Sequence, residues 1–164
     1  MRRAHSEAEG VLALETVLGR LAFEWGAAGL QSLRFQEDAA SRGTTPAWLQ
    51  ELAERARAHL AGERLDTFAD VPLDWSWATA FQREVLEACR EIPPGEVCTY
   101  GALAEAAGRS PQAARAVGGA LAANQVLLVV PCHRVLAKGG PGGFSAPGGF
   151  ATKARLLAAE GVTL

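Results

Sequence analysis

Apolar and polar positions divide the chain into two stretches of different rhythm. Between residues 11 and 35, short apolar runs (Val11–Leu14, Leu18–Trp25, Leu30–Phe35) alternate with glycine-bearing breaks at Gly19-Arg20 and Gly26-Ala27-Ala28-Gly29. Runs of this length between turn residues predict three strands. Residues 36–45 are polar and read as a loop. Leu49, Leu52, Ala53, Ala56 and Leu60 then recur at helical spacing behind Thr45-Pro46. They predict a helix to about Ala61, with Pro46 at its first position and Gly62 as its stop. Phe68–Leu73 reads as a last strand. Residues 1–77 are thus expected to form a small α/β unit, an antiparallel sheet plus a helix, ending in a connector over Asp70–Ala78.

From Ala78 the rhythm turns helical. Phe81, Val85, Leu86 and Cys89 mark one apolar stripe, which ends before Pro93-Pro94-Gly95. Tyr100–Gly108 reads as a short helix with a glycine stop, and Pro111 opens a second running to about Ala123. Two short helices joined by a glycine-containing turn are a helix-turn-helix signal. Arg115 would sit near the start of the second, where such helices read base edges. An alanine-rich hairpin with no nucleic acid has the same pattern, and the residues alone leave both readings open. Positions 112–122 are mostly small, so either a protein neighbour or a DNA backbone can approach closely. A final helix is expected over Ala151–Glu160. Residues 78–164 therefore read as a mostly α, winged-helix-like subdomain.

Composition sharpens this picture in three places. The chain has 164 residues, 49% hydrophobic and 21% charged, which fits a packed globular protein. No apolar stretch nears the roughly 20 residues needed to span a bilayer, and Met1-Arg2-Arg3 has no apolar core behind it. A cytoplasmic protein without membrane contact is expected. The net charge of −2 hides an asymmetry. Residues 97–164 carry Arg109, Arg115, Arg134, Lys138, Lys153 and Arg155 against Glu105 and Glu160 only. A phosphate-facing surface, if present, belongs there. Cys89, Cys98 and Cys132 are odd in number and widely spaced, which argues against a disulfide framework and against a metal site. Cys89 falls on an apolar stripe and reads as core.

Chemistry concentrates at Pro131-Cys132-His133-Arg134-Val135, after the apolar run Val126–Val130. Cysteine is a strong nucleophile once its thiolate is stabilised. A cysteine behind such a run is also commonly inert core, ending a buried strand or turn. Adjacency to His133 decides nothing, because neighbours in an extended segment point to opposite faces. Residues 139–149 hold six glycines and read as a loop able to approach a ligand closely.

The pentapeptide resembles the active-site signature of the O6-alkylguanine-DNA alkyltransferases. Phe81-Gln82 with Val85, Ile92-Pro93 and Gly95, Thr99-Tyr100-Gly101, Ala114–Gly118, Asn124, and Lys153 to Glu160-Gly161 follow in the family's order. The similarity covers about residues 78–161. It implies DNA repair: irreversible, stoichiometric transfer of an alkyl group from O6-alkylguanine, and O4-alkylthymine, to Cys132 after base flipping. It implies no cofactor, no metal, a monomer, and double-stranded DNA carrying the lesion as partner.

The resemblance also implies roles. His133, oriented by Glu160, would draw off the thiol proton through a water. Arg115 would fill the gap left by the flipped guanine, and Tyr100 would turn the nucleotide and donate to the base. Carbonyls of Cys132 and Val135 would accept from the guanine amino group, and the Ser145 amide would face O6. Asn124 would brace the turn before Cys132, and Thr99, Ala114 and Gly118 would lie against the DNA. The chain departs from the pattern where Gln125 replaces a proline, where Phe144 replaces a tyrosine, and where Ser145-Ala146-Pro147 lengthen the loop. Two other classes remain: a lesion-binding relative without transfer, and a thiol hydrolase that turns over.

Overall fold

The computed structural model describes residues 7–140, 142–144 and 146–164. It divides into two compact units. One holds the described residues up to Trp77 together with Gln125–Val129, and the other holds Ala78–Asn124 and Val130–Leu164.

The first unit is a three-stranded antiparallel sheet, β1 (Gly10–Thr16), β2 (Gly19–Gly26) and β3 (Gly29–Phe35), with one helix, α1 (Ala47–Leu60). The β1–β2 turn is Val17-Leu18, two residues before the glycine-arginine break that the sequence suggests. Gly19, with φ +129°, opens β2 instead and pairs with Thr16. Gly29 is needed where it stands. Its φ is +122°, and a Cβ there would lie 2.5 Å from the Pro72 carbonyl oxygen. The α1 stripe Leu49, Leu52, Ala53, Ala56 and Leu60 is buried as its spacing predicts. Pro46 precedes the helix as an extended cap rather than starting it.

Phe68–Leu73 does not form the expected strand. Phe68 is buried with φ +53°, and only Leu73 makes a bridge, to Leu30. Pro72 has no N–H to give a ladder, so its carbonyl alone accepts, from Leu30 N–H at 2.8 Å. The run Val126–Val130 is likewise not a strand. Val126 makes one parallel bridge with Leu33, Leu33 N–H bonds the Gln125 carbonyl, and Leu127 N–H bonds Leu33 in return, each at 2.9 Å. The chain then turns through Leu128 at φ +71°. These residues are apolar because they are buried, not because they pleat.

The second unit is mostly helical: α2 (Ala80–Arg90), α3 (Tyr100–Ala106), α4 (Ala114–Ala122) and α5 (Phe150–Ala159). A parallel pair of two-residue strands, β4 (Cys98–Thr99) and β5 (Val135–Leu136), completes it. Thr79 and Gln82 form a reciprocal capping box at the start of α2, and Val85, Leu86 and Cys89 are its buried face. Thr99 caps α3 by accepting from Ala102 N–H at 3.1 Å. A single 3₁₀ turn, Pro111–Ala113, leads into α4, so the second expected helix is α only from Ala114.

Candidate functional site

Pro131 sets up a tight turn. Cys132 N–H bonds the Val130 carbonyl, Arg134 N–H bonds the Pro131 carbonyl, and Cys132–Arg134 form one 3₁₀ turn before β5. The Pro131–Val135 pentapeptide is therefore a turn. All three side chains are buried, including the guanidinium of Arg134 at 2% exposure.

Buried charge demands partners. Glu160, at the C-terminal end of α5, supplies them. Its Oε1 lies 2.9 Å from both His133 Nε2 and Arg134 Nε, and its Oε2 accepts from Arg134 Nη2. Arg134 Nη1 also bonds the Ile92 carbonyl at 2.6 Å. A carboxylate at a helix C-terminus opposes the helix dipole. The two basic groups on Glu160 offset that, and the carboxylate holds the imidazole in one orientation. The expected His133–Glu160 pair is thus brought together.

Asn124, just past α4, does more than the expected bracing. Its Nδ2 donates to the Val130 carbonyl at 3.0 Å and to Cys132 Sγ at 3.3 Å. Burial is the largest influence on the Cys132 thiol and pushes its pKa up. The Asn124 bond, the positive charge of Lys153 and the backbone N–H groups of Cys132 and His133 pull the other way. Burial thus opposes ionisation of the thiol, while a thiolate there has donors in place.

Tyr100, Gly118, Leu121, Ala122, Gly143 and Phe144 line, with Cys132, a cavity of about 240 Å³. Burial raises the Tyr100 phenol pKa, and the backbone of Gly143 nearby counters it. A Cβ at Gly118 would meet the Tyr100 ring only at ordinary contact distance, 3.9 Å. The bare backbone there leaves room without being forced by the packing. Arg115 is exposed on α4, Ala114 lies at the helix start, and Thr99 is exposed. The Cys132 carbonyl accepts from Val135 N–H and the Val135 carbonyl from Lys153. A carbonyl has two lone pairs, so each can take one more donor. Ser145 lies outside the described residues. Among the described residues no cluster of potential metal ligands occurs, and no helix is long and apolar enough to cross a membrane.

Reading the residues alone missed Lys153 and Arg134. Lys153 is fully buried, and its Nζ donates to the Val135 carbonyl at 2.7 Å and the Gly143 carbonyl at 3.2 Å. The signal was available: Lys153, Leu156, Leu157 and Glu160 share one helical face, and charged residues on an apolar stripe imply buried partners. The charge asymmetry overcounts the cations at the surface. Two of its six cations, Arg134 and Lys153, point inward, and Arg109 pairs with Glu84 at 2.6 Å.

Residues 80–162 match the family model for the 6-O-methylguanine DNA methyltransferase DNA-binding domain. A methylated-DNA–protein-cysteine methyltransferase of Methanothermobacter thermautotrophicus is 37% identical over 144 residues, covering 85% of this chain and 78% of that protein. The crystal structure of Mycobacterium tuberculosis O6-methylguanine methyltransferase matches with a TM-score of 0.77 at 31% identity, covering 92% of this chain and 91% of that one. The structure of M. tuberculosis OGT in complex with DNA matches with a TM-score of 0.75 at 33% identity, covering 90% of each chain.

Proposed function

This chain belongs to the methylated-DNA–protein-cysteine methyltransferase family, and from that premise we propose that Cys132 is the alkyl acceptor in the direct repair of O6-alkylguanine in duplex DNA. One observation carries the reading. Cys132 Sγ opens into a cavity walled by Tyr100 and Phe144 and receives a hydrogen bond from Asn124, with a buried His133–Glu160 pair adjoining in the chain. An inert core cysteine needs none of these.

The target atom is stacked inside the duplex, so the nucleotide must leave the stack. Arg115, exposed on α4, is suited to fill the gap, and Tyr100 to contact the extruded base. Ala114, Gly118 and Thr99 lie on elements bordering that path. His133, held by Glu160, takes the thiol proton through water. Asn124 and the Lys153 cation stabilise the thiolate. Sγ then attacks the alkyl carbon in line: the S–C bond forms, the C–O6 bond breaks, and its electron pair stays on the guanine. Donation to the base, from Tyr100 and from an amide of the glycine-rich loop at Ser145, disperses that charge. The carbonyls of Cys132 and Val135 take the guanine amino group.

The product is a thioether, which has no leaving group to restore the thiol, so each chain reacts once. The same displacement serves O4-alkylthymine. The protein acts as a monomer in the cytoplasm, without cofactor.

Stoichiometry tests this. With an excess of duplex containing O6-methylguanine, repaired guanine should plateau at one per chain. Continued release would identify a hydrolase, and tight binding without repair a lesion-recognition protein.

A further inference from the structure

The turn between α3 and α4 is closed twice by its own backbone. Gly108, with φ +78°, donates its N–H to the Glu105 carbonyl at 2.9 Å, and Arg109 N–H reaches the Ala104 carbonyl at 2.8 Å. This pair of bonds is a Schellman motif, and it fixes the direction in which Arg109 leaves α3. Ser110 follows directly. Its hydroxyl accepts from Gln112 N–H at 3.3 Å and its carbonyl from Ala113 N–H at 2.9 Å. Only Ser110, the 3₁₀ turn and Ala114 separate Arg109 from Arg115. A shift at Arg109 is therefore passed on to Arg115.

α4 has no side-chain cap of its own. The Arg109 side chain ties the turn ahead of it to α2. Its Nη2 donates to Glu84 Oε2 at 2.6 Å, and its guanidinium lies over the Phe81 ring, 5.2 Å from the ring centre. Phe81 and Glu84 stand three residues apart on α2, so they share one face of that helix. A cation beside a DNA-reading helix commonly meets a phosphate. This one is already engaged by a carboxylate and an aromatic ring.

We propose that Arg109 is a positioning residue that braces the α3–α4 turn against α2 and so sets the reach of Arg115 toward the duplex. This rests on the reading that Cys132 acts on a nucleotide drawn out of duplex DNA. The side chains of Arg109 and Glu84 are 45% and 55% exposed, so the pair adds little to stability. Its effect falls on geometry, and a substrate that needs Arg115 feels it. Free O6-benzylguanine needs no Arg115 and does not. A phosphate contact would respond in the opposite sense at Glu84, because loss of the carboxylate would free the guanidinium for DNA.

Three readouts test the brace on the full chain. Hydrogen exchange at the Arg109 and Ala113 amides should quicken at least about threefold in Arg109→Ala, while the α5 amides hold their protection. Transfer from O6-methylguanine in saturating duplex should slow about three- to tenfold, with transfer from free O6-benzylguanine unchanged. Glu84→Ala should move both readouts the same way by less, and the double variant should match Arg109→Ala, because the two side chains form one contact. The salt dependence of binding to undamaged duplex should keep its slope in Arg109→Ala. A slope smaller by about one, with Glu84→Ala binding duplex more tightly, would make Arg109 a phosphate contact and overturn the brace. Unchanged exchange, or equal slowing on both substrates, would overturn it too. A wild-type protein that repairs no duplex would sink the reading beneath it, while the exchange result would still decide the brace.

Discussion

Asn124 Nδ2 stands 3.3 Å from Cys132 Sγ and 3.0 Å from the Val130 carbonyl, so one amide both closes the turn before the cysteine and donates to its sulfur. A donor to sulfur favours the thiolate, and burial opposes it. Asn124→Ala removes the donor and moves the thiol pKa further up. Reaction with a small alkylating reagent should slow by about one to two orders of magnitude near neutrality. The deficit should narrow as pH rises, because alkali supplies the thiolate that Asn124 no longer stabilises. The pH–rate profile checks this, and an unshifted profile would show that Asn124 acts on the turn alone.

Glu160 is the carboxylate that pairs with the buried Arg134 guanidinium. Glu160→Gln leaves that guanidinium buried without a counter-charge, which costs about 3–5 kcal/mol. Arg134→Met in the same chain should recover part of this, because the interior then holds neither charge. Denaturant unfolding of both singles and the double measures it, and additive losses would mean the pair is not coupled.

Asp66 accepts from Arg55 Nε at 2.7 Å and Nη2 at 2.9 Å, and from Phe68 N–H at 2.8 Å. The Arg55 guanidinium first, and the Phe68 N–H after it, hold its carboxyl below the usual carboxylate range. A depressed folded pKa stabilises above the unfolded value of about 3.9 and is lost as pH falls through the folded pKa. Asp66→Asn should therefore cost about 1–3 kcal/mol at pH 7 and progressively less below pH 4. Unfolding free energies across that range, for both proteins, give the comparison.

Arg115 is exposed and lies on the helix with the small surface. If it fills the gap in the duplex, Arg115→Ala should slow repair of O6-methylguanine in duplex DNA much more than reaction with free O6-benzylguanine. Equal losses on the two substrates would remove the finger role.

What was legible in the sequence followed from local rules. The α1 and α2 stripes and the Gly29 turn each have a nearby cause, and the sheet and helices follow from them. One strand was misread and one run left open for the same reason. Phe68–Leu73 was expected as a strand and Val126–Val130 as a strand or turn, because burial selects apolar residues whatever the backbone does; Pro72 and the positive φ of Leu128 break the pleat. At the site, the Pro131–Val135 motif pointed to Cys132 and His133, and the family resemblance added Glu160. The Asn124–Cys132 bond and the Lys153 contacts stayed hidden, because they depend on where a helix end and a loop meet a turn some 8 to 18 residues away in sequence.

If Cys132 is the acceptor, the alkyl group must end on its sulfur. Incubation with duplex DNA carrying O6-methylguanine, followed by intact mass and peptide mapping, tests it most directly. The expected result is a gain of one methyl for one hydrogen per chain, located on Cys132 and absent in Cys132→Ala. Repaired DNA with an unmodified Cys132, or a methyl group on another residue, would contradict it.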